Sequence, residues 1–194
     1  VSNLSLGTDV RDVKVRGQYA FLATDTAALV VVDISNVLLP DLVANYGAGT
    51  SSLDLSLDRN MMFVATGSSG LLVLNVTSPQ FPQLLNTLPA TSSVTAVAVS
   101  PTGNLLGLID NTSLRLFQID SAGLLIDVAS LVLSRPSDVV VEDSIAYVTD
   151  LIDGLTLIDI SNPVTPVIAG TALRNNAGLA NDVVVVGNFA LLAD

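Results

Sequence analysis

The chain repeats itself at a fixed step. DVKVRGQYAFLATD begins at residue 12, DLSLDRNMMFVATG at 54, AVAVSPTGNLLGLID at 96 and DVVVEDSIAYVTD at 138, each 42 residues after the last. A fifth copy, DVVVVGNFALLAD, starts 44 residues later at 182, after the polar insertion-like stretch 172–182. A second segment keeps the same step: ALVVVDISNVLLP from 28, GLLVLNVTSPQFP from 70 and GLTLIDISNPVTP from 154. A period of this length marks a stacked or radial repeat, in which no unit can bury its apolar faces alone.

Each unit reads as four short strands. The alternating DVxV run is strand one, and a turn rich in Gly, Asn, Asp or Pro follows it. YAFLAT and its equivalents form strand two, and LVVVDI forms strand three. The Pro-bearing SNPVTP or TSPQFP then breaks the ladder before a weaker strand four such as DLVANY or QLLNTL. The third copy carries one extra residue in its first turn, so SLRLFQID (113–120) runs one residue late. Four antiparallel strands in about 42 residues is the pattern of a propeller blade. The expected fold is therefore all-β, a β-propeller segment with four complete blades at 12–53, 54–95, 96–137 and 138–181. Residues 1–11 read as the outer strand of a preceding blade, and 182–194 as the first two strands of a further one. That inventory suits a fragment of a larger propeller, or a propeller closed by its termini.

Composition fits this reading. Half of the 194 residues are apolar but only 4% are aromatic, so Val, Leu, Ile and Ala must build the core. Seventeen Asp and one Glu face six Arg and one Lys, for a net charge of −11. Such a chain repels nucleic acid and anionic membranes and suits cations or a basic partner. No apolar run approaches the roughly 18–20 residues that span a bilayer. There is no His and no Cys, which excludes Ser–His–Asp, Cys–His and His-based zinc chemistry from this segment. The string GAGTSS (47–52) lacks the Lys and the following helix that phosphate binding needs. Three glycosylation sequons, at Asn3, Asn75 and Asn111, are about what chance supplies in a chain this rich in Ser and Thr.

The phrase GLTLIDISNPVTPVIAG, preceded by DVVVEDSIAYVTD, resembles the LVIVD repeat family, whose units pair a "gn-Ay-vaD" hairpin with a "GL-ivDiSnP-P" hairpin. The similarity runs over nearly the whole chain and is poorest in the third unit, where FQIDSAG replaces DISNP. It implies a β-propeller of the kind common in secreted or surface proteins of bacteria and archaea, and implies no particular activity.

Chemistry, if present, has to come from Asp. Asp12, Asp54, Asp138 and Asp182 open strand one, with Ala96 the exception; Asp25, Asp110, Asp150 and Asp194 follow strand two, with Gly67 the exception. In propeller geometry both sets fall on one face, so these carboxylates would make an acidic face, with Asp153 beside Gly154 adding to it. A repeated residue at a repeated turn first suggests a repeated structural role: each Asp accepts hydrogen bonds from turn or neighbouring-blade N–H groups. A second reading gathers some of these oxygens around Ca²⁺, with Asp150 and Asp153 the metal ligands. A third pairs two Asp for hydrolysis, as in glycoside cleavage. The expectation carried forward is a non-enzymatic, secreted or cell-surface interaction or structural module with no cofactor and with a protein partner, basic in character, or a surface assembly. A Ca²⁺-dependent binding module and an Asp-based hydrolase are the alternatives.

Overall fold

The computed structural model describes residues 4–172 and 180–193, and among these every regular element is a β-strand. The chain divides into two compact units, residues 1–93 and 94–194. Asp194, Asn3 and most of the 172–182 stretch lie outside the described residues.

The first unit holds two four-stranded antiparallel sheets. One is β1 (Val10–Arg16), β2 (Tyr19–Thr24), β3 (Ala27–Asp33) and β4 (Asp41–Ala48); the other is β5 (Asp54–Asp58), β6 (Met61–Ala65), β7 (Leu71–Asn75) and β8 (Gln83–Leu88). In both, strand order follows chain order. Residues alternate across each sheet. Phe21, Ala23, Leu29 and Val31 on one face of the first sheet pack with Leu55, Met62, Val64, Leu74 and Val76 of the second. Ala20, Val30 and Val32 lie on the opposite face, in a cluster that also takes in Ala27 and on which Leu4 and Leu6 pack. Residues 4–9 form no strand, and residues 1–3 of the expected outer strand lie outside the described residues.

The second unit holds β9 (Ala96–Val99), β10 (Leu105–Ile109), β11 (Ser113–Ile119) and β12 (Leu125–Val132), then β13 (Pro136–Glu142), β14 (Ile145–Asp150), β15 (Gly154–Asp159) and β16 (Val167–Ala172). A two-stranded hairpin, β17 (Asp182–Val186) and β18 (Phe189–Ala193), follows. Ala96, Leu105, Ile109, Leu114 and Leu116 share one core with Val139, Val141, Ala146, Val148 and Ile158.

The recurring residues have local duties. The β1–β2, β5–β6, β13–β14 and β17–β18 hairpins turn through two residues, and the first of each has positive φ: Gly17, Arg59, Asp143 and Gly187. That conformation matches the right-handed twist of paired strands. The third sheet uses the longer Ser100–Asn104 loop instead, which absorbs the extra residue seen in the sequence. After strand three, the Asp33 carboxylate accepts the Ser35 N–H at 2.8 Å and Asp159 accepts the Ser161 N–H at 2.8 Å. Asn75 does the same for Thr77 at 2.8 Å, and Asp120 for Ala122 at 2.8 Å. Asn36 and Asn162 then cap Leu38 and Val164 two residues on. Two successive side-chain turns thus account for the DISN spelling. Hydrogen bonds from Ser35 and Ser161 hold the Asp33 and Asp159 carboxyls below the usual range. Strand four carries a register shift at the same place in every complete sheet, opposite Val31/Val32, Val73/Leu74, Leu116/Phe117 and Leu157/Ile158. A bulge there bends and twists the outer strand.

The GL that opens strand three in two units has a backbone cause. Gly70 and Gly154 sit at φ +95° and +79°. A Cβ on Gly70 would run into the Leu88 carbonyl oxygen and the Ala90 amide. Gly70→Ala should therefore cost about 3 kcal/mol in urea unfolding, from left-handed strain and the clash together. Gly170→Ala, whose Cβ meets nothing within 4 Å, should stay within about 0.5 kcal/mol of the parent.

Candidate functional site: the strand-one carboxylates

Two of the Asp residues that open strand one, Asp12 and Asp138, reach across joints between successive sheets. Asp12 Oδ1 accepts the N–H of Val13 at 2.7 Å. Its Oδ2 accepts the N–H of Leu55, on β5 of the next sheet, at 3.0 Å. Asp138 repeats the arrangement: it accepts the Val139 N–H, and its Oδ2 takes the N–H of Val183 on β17 at 3.1 Å. Asp54 accepts the N–H of Leu55 at 2.8 Å. A carboxylate is suited to this position because it can serve its own strand and the next one at once.

The two joints differ in charge. On β1, Lys14 Nζ lies 3.0 Å from Asp12 Oδ2 and 3.2 Å from Oδ1. At the far end of β1, Arg16 donates to the Arg59 carbonyl, to Asn60 Oδ1 at 3.3 Å and to the Val76 carbonyl at 2.7 Å, so it staples the first sheet to the second. Its guanidinium also lies 5.5 Å from the centroid of the Phe21 ring. Three steps of 42 residues on, β13 carries Val140 where β1 has Lys14, and Glu142 where β1 has Arg16. The β13–β17 joint therefore holds Asp138 and Asp182 with no cation at the equivalent positions. Asp182 directly precedes Val183, whose N–H Asp138 accepts, so the two carboxylates stand at the same joint. Burial, and then the neighbouring Asp182 carboxyl, push the Asp138 carboxyl up to about 7.

The Asp residues that follow strand two do other work. Asp25 is held by a two-pronged bridge to Arg11, 2.8 and 3.0 Å, which keeps its carboxyl below the ordinary range. Asp110 is buried, and its Oδ1 accepts the Thr112 N–H and the Ser113 hydroxyl, each at 3.0 Å. Asp150 is buried as well; its Oδ2 accepts the Arg135 N–H at 2.7 Å and its Oδ1 the N–H groups of Ile152 and Asp153 at 2.8 and 3.0 Å. Asp153 accepts the Ser134 hydroxyl at 2.5 Å. Both oxygens of Asp150 are thus engaged with backbone. Among the described residues no three acidic side chains gather as a metal site would require. The structure brings Asp12 and Asp54 together on the Leu55 N–H and places Asp182 beside Asp138 at the β13–β17 joint, while Asp25, Asp110, Asp150 and Asp153 are held separately.

Sequence reasoning did not single out Arg16, although its spacing from Asp12 along one face of β1 was visible. It also passed over Ser52, a buried hydroxyl that accepts the Thr24 N–H at 2.8 Å and donates to the Ala27 carbonyl at 3.1 Å, fixing the segment that leads into β5. Ser137 plays a related part, donating to the Ala180 carbonyl at 2.7 Å just before β17.

The LVIVD repeat profile matches residues 7–47, 135–173 and 177–194, about half of the chain. No curated protein sequence matches it. Among solved structures, a functionally unknown protein from Desulfotomaculum acetoxidans superposes with a TM-score of 0.80 at 21% identity, covering 98% of this chain and 65% of its own. A putative 6-phosphogluconolactonase from Bacteroides uniformis gives a TM-score of 0.77 at 14% identity, covering 93% and 62%. The WD40 repeats of RRP9 give 0.67 at 13% identity, covering 85% and 52%. At these identities the likeness is one of fold, and the chain spans less than two thirds of each of these structures.

Replacing Asp12 by Ala removes one of the two carboxylates that accept the Leu55 N–H, leaving Asp54, and removes the partner of Lys14. The expected loss is about 1–2 kcal/mol in urea unfolding, with faster hydrogen exchange at the Leu55 amide. The exposed Asp41→Asn change should stay within about 0.5 kcal/mol.

Proposed function

The chain belongs to the LVIVD repeat family, and from that premise we propose that it acts as a rigid β-propeller platform for protein–protein contact outside the cell, without catalysis of its own. The observation that carries this reading is the use made of the carboxylates. Asp12, Asp110, Asp138 and Asp150 accept backbone N–H groups within turns or across sheet joints, which is work for holding a frame. Loops then supply the contact surface. In the first unit the loop after β3 exposes Val37, Leu38 and Leu39, the last two at 73% each, and the loop after β7 exposes Phe81 at 71%. Exposed apolar groups on an acidic body suit a partner that is basic and apolar in patches, attracted at long range and held by burial. The placement outside the cell follows what the family resemblance suggests.

An Asp-based hydrolase is the second reading. It draws on the Asp138–Asp182 pair, whose raised acid resembles a general acid near neutral pH. Against it, Asp138 already accepts hydrogen bonds from Val139 and Val183.

Polylysine is the simplest probe of the platform reading. Immobilised protein should bind it at 20 mM salt, with affinity falling steeply as salt approaches physiological strength. The Leu38→Ser/Leu39→Ser variant should bind polylysine as well as the parent, yet lose retention on a mixed basic–apolar resin. Absence of polylysine binding at low salt would remove the basic-partner reading. Turnover of chromogenic lactone, ester or glycoside substrates that disappears in Asp138→Asn would replace the platform with the hydrolase. A rise in melting temperature with millimolar CaCl₂ would bring back the calcium module.

A further inference from the structure

Successive sheets within each unit meet in one way. Strand one of a sheet packs on strands one and two of the sheet before it: β5 on β1 and β2, β13 on β9 and β10, β17 on β13 and β14. The side chains at these joints keep the repeat's register. Leu55, Met62, Val64, Leu74 and Val76 form the second sheet's side of the first joint. Forty-two residues earlier stand Val13, Ala20, Leu22, Val32 and Ile34 of the first sheet. These positions make up a face of the kind that receives a preceding sheet.

That face is covered in part. Leu4 and Leu6 pack on it beside Ala20, Val30 and Val32. Leu4 stands 42 residues before Tyr46, a strand-four residue that packs into the first joint. Residues 4–6 therefore fill the place of a strand four. The place of strands one and two lies over β1, and there Val13 is 50% exposed and Val15 61%, whereas Leu55, the equivalent of Val13, is fully buried.

The last hairpin carries the matching surface. Val183 turns into the core, while Val184, Val186, Phe189 and Leu191 are exposed on the opposite face. They pair across the two strands, Val184 with Leu191 and Val186 with Phe189. By repeat position Phe189 and Leu191 match Tyr19 and Phe21, through which the first sheet receives the second.

We propose that the β17–β18 hairpin of one copy of this chain docks on β1 of a second copy, taking the place of strands one and two in a sheet ahead of β1, so that copies associate head to tail. Both faces stand exposed in one chain, which leaves each for another molecule. The second copy is the occupant because its hairpin repeats, position for position, the side chains that fill this joint between β1–β4 and β5–β8. Asp182 of one copy then accepts the Val13 N–H of the next, as Asp12 accepts that of Leu55 and Asp138 that of Val183. The two faces differ, so the contact is heterologous. It is also apolar, and the net charge of −11 on each copy opposes it at low salt.

Sedimentation equilibrium of the 194-residue chain tests this between about 5 and about 500 μM, the range suited to a small interface. The weight-average mass should rise with concentration from that of one chain to at least twice that. Val15→Asp disables the receiving face and Phe189→Asp the hairpin. Each variant alone should keep the mass of one chain. An equimolar mixture of the two should reach twice that mass and stop, since one intact hairpin meets one intact β1. Both positions are exposed, so each variant should melt like the parent; Val13→Asp and Leu191→Asp take their places if either fails to fold. A parent that keeps the mass of one chain at every concentration would overturn the proposal. So would a mixture that does not associate, or a single variant that associates as the parent does. Dissociation of the parent on raising NaCl from about 0.1 to about 1 M would overturn it too, because screening relieves the repulsion between copies.

Discussion

Everything in this molecule depends on sheets that are apolar on both faces and therefore cannot stand alone. Phe21 and Val31 on one side of the first sheet, and Ala20 and Val30 on the other, are all buried. A lone four-stranded sheet would leave one of those faces wet. The neighbouring sheet removes the cost, but apolar faces are poor at fixing register, since they slide. The carboxylate at the head of strand one supplies the missing specificity. It is directional and spans the gap to one particular amide, Leu55 from Asp12 and Val183 from Asp138. Burial brings the sheets together, and the carboxylate sets where they stop.

The same device explains why one position tolerates so little substitution across the repeats while its surroundings vary. Lys14 neutralises Asp12, whereas beside Asp138 the equivalent position is Val140. Ala96 occupies the position in the third repeat, and there apolar contact dominates the join. Gly107 admits the Val139 and Val141 side chains closely enough that a Cβ would lie 3.6 and 3.4 Å from them. An acidic frame with exposed apolar loops is consistent with a protein that presents surfaces and performs no chemistry, and the fold by itself assigns neither role.

Much of this architecture was legible in the sequence. The 42-residue step, the alternation of DVKV and the Pro-broken DISNP told of four short strands per unit, because turn chemistry and period-two patterning are local properties. The extra residue in the third turn was visible for the same reason. Less was visible where the outcome depends on what lies nearby in space. The Asp residues at the head of strand one and after strand two read as one acidic face. The first reading of them, as acceptors of turn or neighbouring-sheet N–H groups, fits Asp12 and Asp138 at the joints and Asp110 and Asp150 in their turns, but which amide each would take was not visible. The pairing of Asp138 with Asp182 across 44 residues could not be read from spacing alone. The substitution of Lys14 and Arg16 by Val140 and Glu142 was in plain sight, but acquires meaning only once the joint is known. Residues 1–11 read as an outer strand because 3–12 line up with 45–54 of the next unit; of these, Leu4 and Leu6 pack on the first sheet as side chains.

The central claim is that a strand-one carboxylate accepts the amide of the following sheet. Scalar coupling across the hydrogen bond measures this directly, by a long-range NMR experiment that correlates an amide nitrogen with the acceptor carbon. The Leu55 amide should correlate with Asp12 Cγ and the Val183 amide with Asp138 Cγ, each signal vanishing when the acid is changed to Ala. Correlation of those amides with backbone carbonyls, or their rapid exchange with water in the parent protein, would contradict the account.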